Sequence, residues 1–227
     1  MGKNIVEKID DKIKIRTALI SVSDKTGLET LVPGLVEVNP DIRILSTGGT
    51  FGRLQEILGK RADSCLQQVS DYTGQPETQG GLVKTLDFKI YLGLLTETYN
   101  PAHREDLKRT SARAIDMVVV NLYPFSETIA KKGVTLEEAR GNIDIGGPTM
   151  IRAAAKNFIR VASVVDPGSY PNLLKQLRAA NGCLSLEDRF ALAKTAFAHT
   201  AAYDWAIADY LEDAIAEQVS SCYQWGA

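Results

Sequence analysis

The 227-residue sequence predicts a doubly wound α/β fold: a three-layer αβα sandwich on a mostly parallel sheet, with a helical C-terminal extension. Three observations carry this expectation. Short apolar, β-branched runs alternate with helical stretches along the chain. Residues 116–122 (DMVVVNL) form a near-continuous apolar run, as in parallel strands covered on both faces. Polar clusters, several of them glycine-containing, stand directly after the predicted strands, where open α/β sheets bind ligands.

Residues 1–15 read as a charged leader and 16–227 as one domain, with a core at 16–158 and a strand and mainly helical extension at 159–227. Residues 16–22 (RTALISV) predict a strand running into the turn and cap cluster Ser23-Asp24-Lys25-Thr26-Gly27. A helix over 27–38 follows, interrupted by Pro33 and Gly34 and closed by Asn39-Pro40-Asp41. The unit then repeats: a strand at 42–45, the loop Ser46-Thr47-Gly48-Gly49-Thr50, and a helix at 51–58 with Phe51, Leu54, Ile57 and Leu58 on its apolar face.

A short strand at 65–69 leads into residues 70–86, rich in Gly, Thr, Gln and Pro, which read as an ordered functional loop. Beyond the 116–122 strand come Tyr123-Pro124-Phe125, a short helix at 135–140, and a helix at 146–158 opened by Gly146-Gly147-Pro148-Thr149. A strand at 160–165 and a helix after Pro171 complete the alternation. From Ser185 onward a long helix is predicted, with Glu187 and Asp188 in its first turn and neither Pro nor Gly inside.

Composition narrows the function. With 26 Lys plus Arg against 28 Asp plus Glu and a hydrophobic fraction of 44%, the chain is an ordinary globular protein without the basic excess of a nucleic-acid binder. Cys65, Cys183 and Cys222 are odd in number and lack a Cys-x-x-Cys pair, so neither a disulfide framework nor a zinc site is expected and a reducing cytoplasm fits. His103 and His199 lie far apart, which speaks against a histidine metal site and a Ser-His-Asp triad. No apolar run reaches the ~18–20 residues of a membrane span, and the leader lacks a signal-peptide core.

Four clusters carry the chemistry: residues 21–27, 46–50, 121–123 and 144–147. Glycines let backbone N–H groups approach an anion, hydroxyls add donors, and following helix starts favour negative charge. Each alone is equally a helix cap; together they predict a phosphorylated ligand. Neither G-x-x-x-x-G-K-[ST] nor G-x-G-x-x-G is present, which disfavours NTP hydrolysis and NAD chemistry. Lys84, among the glycines and apolar residues of 80–86, suits acid/base or oxyanion work or is a solvated loop lysine. Tyr123 offers a phenol at a developing charge or is a rim aromatic. Asp144 and Lys156 bracket the 146–158 helix, with Arg152 one turn before Lys156, so a contact between them requires Asp144 to fold back.

Taken in order, SVSDKTGL, STGGT, VSDYTGQPE, GGLVKTL, NLYPF, IDIGGPTMIRAAAKN and AFAHTAAYD resemble inosine monophosphate (IMP) cyclohydrolase, the N-terminal domain of the bifunctional AICAR transformylase/IMP cyclohydrolase family, over about residues 16–209. The resemblance implies a methylglyoxal-synthase-like (MGS-like) fold and dehydrative ring closure of formylated aminoimidazole carboxamide ribonucleotide (AICAR) to IMP, with no metal or organic cofactor. It also implies a purine ribonucleotide as substrate and product, a homodimer, and no nucleic-acid or membrane partner. The 227 residues leave no room for the transformylase, so the chain reads either as a stand-alone cyclohydrolase, with a separate AICAR transformylase as one source of substrate, or as an excised domain.

Carried over by position, Ser23, Asp24 and Lys25 with Thr47, Gly48, Gly49 and Thr50 would contact nucleotide and phosphate. Val83 and Thr85, Val120 and Asn121, and Ile145 and Gly146 would line the base and ribose end. Lys84, Tyr123, Asp144 and Lys156 match the family's catalytic positions. The implied division has Lys156 paired with Asp144 to move the amide proton, while Lys84 and the N–H groups near Gly146 hold the formyl oxyanion and Tyr123 assists. This chain departs from the family pattern at Leu82, where an arginine is usual, at Asp87-Phe88 for His-Pro, and at Tyr91 for a histidine. Those departures leave a second reading, a catalytically weak purine-nucleotide-binding regulatory module on the same fold; a methylglyoxal synthase fits poorly for want of its histidine.

Overall fold

The computed structural model describes residues 5–76 and 83–226. A five-stranded parallel sheet is built from β2 (Thr17–Ile20), β3 (Arg43–Ser46), β4 (Leu66–Gln68), β5 (Met117–Val119) and β6 (Ala162–Val164), in the spatial order β4-β3-β2-β5-β6. The chain builds outward from β2 through β3 to β4, then returns to the other side of β2 for β5 and β6. The reversal falls between β2 and β5, and such switch points open a crevice at the carboxyl ends of the strands.

Register explains why the strand runs are apolar throughout. Ala18 lies opposite Ile44 and Met117, and Met117 opposite Ala162; Leu19, one residue on, lies opposite Leu45 and Val118. Because successive side chains alternate faces, the first row meets α1 (Leu28–Val38) and α10 (Tyr170–Ala179), whereas Leu19, Leu45 and Val118 meet α5 (Phe88–Leu95), α9 (Gly146–Lys156) and α11 (Leu186–Glu212). Both rows are fully buried, each large side chain contributing roughly 1.5–3 kcal/mol.

Pro33 and Gly34 do not break α1, which runs unbroken with Leu28, Leu31, Val32 and Leu35 in the core. Pro33 faces solvent, and burial on either side offsets the lost backbone hydrogen bond. Gly34 has a packing role: a Cβ there would lie 2.7 Å from Leu174 side-chain carbons, so its absence lets α1 and α10 close on each other.

Two helices, α5 and α6 (Pro101–Arg109), occupy the stretch before β5 for which no element was predicted; Asp87 and Asn100 cap them. Ser185 caps α11 in a capping box with Asp188, as the sequence indicates. Within the charged leader, β1 (Ile13–Lys14) pairs antiparallel with β7 (Cys183–Leu184), and Ile13 and Ile15 are buried. The fully buried Arg189 fixes this arrangement: its guanidinium donates to the carbonyls of Asp10, Asp11, Phe158, Ile159 and Leu184. The three cysteines are unpaired. No helix among the described residues is long and apolar enough to cross a membrane.

Candidate active site

The exits of β2, β3 and β5 and the start of α9 enclose a cavity of about 430 Å³ at the carboxyl edge of the sheet. One end is built on α2 (Gly48–Leu58). The sequence places this helix start at residue 51, but the glycine loop is itself the first helical turn, with Gly48 at φ +45°. Thr47 precedes it without capping it, because its hydroxyl is hydrogen-bonded to the Ser21 hydroxyl at 2.9 Å. The helix start therefore has no side-chain cap. A Cβ on Gly48 would stand 3.2 Å from Lys84 Nζ, and one on Gly49 3.9 Å from Lys25 Cε. Two lysine side chains thus border the positive end of a helix, the arrangement that holds a phosphate.

The remaining hydroxyls and amides shape this end. Thr50 Oγ1 accepts from Val22 N–H at 3.1 Å and donates to Val22 O at 3.0 Å. Asn121, at the exit of β5, accepts from Asp24 N–H and donates to Asp24 O, both at 2.9 Å, clasping the loop after β2 across the switch point. Its amide serves the loop, although the residue also lines the cavity as expected. The Asp24 carboxylate accepts from Thr26 N–H at 2.9 Å, is held below its usual range by that residue, and is not part of the cavity wall.

The opposite end is the start of α9. Asp144 folds back and accepts from Gly147 N–H at 2.9 Å. Gly147 permits this, since a Cβ there would lie 2.5 Å from Asp144 Oδ2. A carboxylate at a helix start is favoured, yet burial outweighs the N–H bonds and pushes the Asp144 carboxyl up. The N–H groups near Gly146 thus face a carboxylate, not the open oxyanion site expected. Thr85 Oγ1 sits 2.9 Å from where a Gly146 Cβ would be, so Lys84 and Thr85 bridge the starts of α2 and α9. Tyr123 is 52% exposed on the rim, and Val120 and Ile145 add apolar wall.

Lys156 is not brought to this cavity. It is exposed at the far end of α9, about 15 Å along the helix from its start. Among the described residues no ion pair joins it to Asp144, whose carboxylate is engaged at Gly147, so the expected pairing is not formed. Val83 is likewise off the wall. Gly80, Gly81 and Leu82 lie outside the described residues.

Two departures from the family pattern have local explanations. Asp87 caps α5 by accepting from Lys89 N–H at 2.7 Å. Tyr91 lies half-buried near Thr149 and Asp144, with burial pushing its phenol up to about 12.

Sequence reasoning missed Tyr203 of α11, whose hydroxyl accepts from Asp144 N–H at 2.7 Å and sets the loop that carries the carboxylate. It also missed Asn142 and Ile143, which line the cavity. Tyr203 lies inside AFAHTAAYD, which was a recognisable motif without a role. His199, in the same motif, is half-buried away from the cavity, and burial lowers it.

Residues 27–149 match the MGS-like domain family, and residues 154–225 match the AICARFT/IMPCHase bienzyme family. The chain is 50% identical over 196 residues to the bifunctional purine biosynthesis protein PurH of Trichormus variabilis, covering 86% of this chain and 38% of that one. It is 50% identical over 203 residues to PurH of Desulfitobacterium hafniense, covering 89% and 38%. The chain thus spans about two fifths of the length of these curated relatives. Among solved structures, the crystal structure of ForH superposes with a TM-score of 0.75 at 32% identity, covering 86% of this chain and 96% of that one.

Proposed function

Because the chain belongs to the MGS-like domain family and continues into an AICARFT/IMPCHase bienzyme segment, we propose that it is an IMP cyclohydrolase. Its reaction is the dehydrative closure of formylated AICAR to IMP. The observation that carries this reading is the two-ended cavity: an uncapped helix start bordered by Lys25 and Lys84 at one end, and a buried, folded-back Asp144 at the other.

The ribonucleotide's phosphate binds at the start of α2, with Lys25 and Ser23 closing over it and Gly48, Gly49 and Thr50 beneath. Ribose and base lie between Val120, Asn121, Thr85 and Ile145. The carboxamide nitrogen attacks the formyl carbon of the same molecule and gives up a proton to Asp144. The formyl oxygen becomes an oxyanion held by Lys84, with the Tyr123 hydroxyl as a second donor. It takes back the proton held on Asp144 and, as the C–O bond breaks, the formamido proton, and leaves as water with Asp144 again a carboxylate. A C–N bond and the second bond of the ring C=N replace the two bonds of the formyl C=O, so atoms, protons and electrons balance. Holding the two reacting groups of one molecule together supplies most of the acceleration, and acid/base help of about 10²–10⁴-fold completes it. No cofactor enters the scheme. Residues 16–227 act as one catalytic unit in the cytoplasm, as a homodimer, supplied by an AICAR transformylase. The exposed Phe190, Phe197 and Trp205 of α11 favour such association.

The test is incubation of the protein with formylated AICAR, following IMP by ultraviolet absorbance beside Lys84→Ala and Asp144→Asn. Turnover lost in both variants supports the proposal. IMP binding without turnover in the folded wild type would replace it with the regulatory module.

A further inference from the structure

At the opposite edge of the sheet, where the strands begin, lies a second cavity of about 590 Å³. Its floor is the buried ion pair of Arg160 and Asp116, at 3.1 Å. The pair is closed on itself: Asp116 also accepts from the N–H groups of Arg16 and Thr17, and Arg160 donates to the carbonyls of Gly93, Leu94 and Thr96.

Above this floor the wall is basic. Ile13 and Ile15 point into the core, so Lys12, Lys14 and Arg16 share the opposite, exposed side of one extended segment, spaced roughly 6–7 Å apart. Arg104 of α6 also lines the cavity. Among the described residues none of these four side chains forms an ion pair. The wall carries three carboxylates against the basic residues: Asp116 is spent on Arg160, Asp10 accepts from the Tyr99 hydroxyl at 2.6 Å, and Glu97 is the third.

Thr96 lines this cavity with the rest of its residue, while its hydroxyl is closed off from solvent beneath the wall. The basic segment is also held rigidly, by Arg189 on the carbonyls of Asp10 and Asp11 and by the β1–β7 pairing.

We propose that this cavity is a second binding site, for a small phosphorylated molecule whose phosphoryl oxygens meet Lys14, Arg16 and Arg104. It lies at the other edge of the sheet from the catalytic cavity and does not rest on the cyclohydrolase reading.

Inorganic pyrophosphate is the probe, titrated calorimetrically into the full chain. Two sites are expected in the wild type. Arg104→Ala and Lys14→Ala each weaken one of them about tenfold and leave the other unchanged, whereas Lys25→Ala does the reverse. The paired surface change Lys131→Ala with Lys132→Ala is the control for general electrostatic attraction and leaves both sites intact. A single wild-type site abolished by Lys25→Ala, or equal weakening by the Lys131 and Lys132 control, overturns the proposal.

Discussion

The Tyr203 hydroxyl accepts the backbone N–H of Asp144 at 2.7 Å, joining α11 to the loop that carries this carboxylate across 59 residues of sequence. The phenol is itself set by an edge-on contact with Phe125, ring centroids 6.3 Å apart. Tyr203 touches no reacting atom in the proposed scheme; it positions the base. Tyr203→Phe keeps the ring and removes the acceptor, so kcat should fall about two- to tenfold, in line with one neutral hydrogen bond, while KM changes less. The same substitution also removes the hydroxyl's longer bond to the backbone carbonyl of Asn142, at 3.4 Å, so the measured loss reads both contacts together.

Asp144 should impose the acid limb of the pH–rate profile. Burial raises its carboxyl above 3.8, so as pH falls the base is lost earlier than an exposed aspartate would be. Asp144→Asn should remove this limb together with at least about 10²-fold in kcat. Linkage has the matching sign. A raised carboxyl binds its proton more readily in the folded chain, so its contribution to stability declines as pH rises through that pKa, and the Asn variant loses the dependence.

Gly48→Ala should act on binding. Alanine at φ +45° is strained by about 1–2 kcal/mol, and its methyl would meet the Lys84 ammonium at 3.2 Å. IMP affinity measured by calorimetry should drop tenfold or more with a smaller change in kcat. Unchanged affinity would place the phosphate elsewhere.

Arg189 is expected to be a stability residue. All five of its bonds go to carbonyl oxygens, and lysine has only three donors to offer them. Arg189→Lys should destabilise the protein by about 2–4 kcal/mol in denaturant unfolding. Hydrogen exchange should show the loss first at Ile15, whose N–H is bonded to Gly182 O at 2.9 Å.

Much of this was legible from residue patterns, because the parallel strands are locally apolar and the glycine loops follow them directly. The start of α2 was placed late because glycines are poor helix formers, and the buried Thr50 and Leu54 hold the first turn against that preference. Helices α5 and α6 were missed although Asp87 and Asn100-Pro101 are cap signals; FKIYLGLL gives no clear helical period. Two-residue strands such as β1 and β7 leave no periodicity at all. The pairing of Asp144 with Lys156 comes from the family resemblance, whereas their spacing favours a plain cationic helix face; only the fold brings Tyr203 near Asp144.

The long reach of α11 also bears on the order in which the protein becomes competent during synthesis. The emerging chain can pair β2 with β3 and β5 early, but β6 waits for residue 164, and the loop of Asp144 waits for Tyr203. Residues through Tyr203 must therefore leave the ribosome before the Asp144 loop is fixed in place, at translation rates of about 5–20 residues per second. A nascent chain stalled before α11 would display the glycine loops and lysines of the cavity without the contact that sets Asp144.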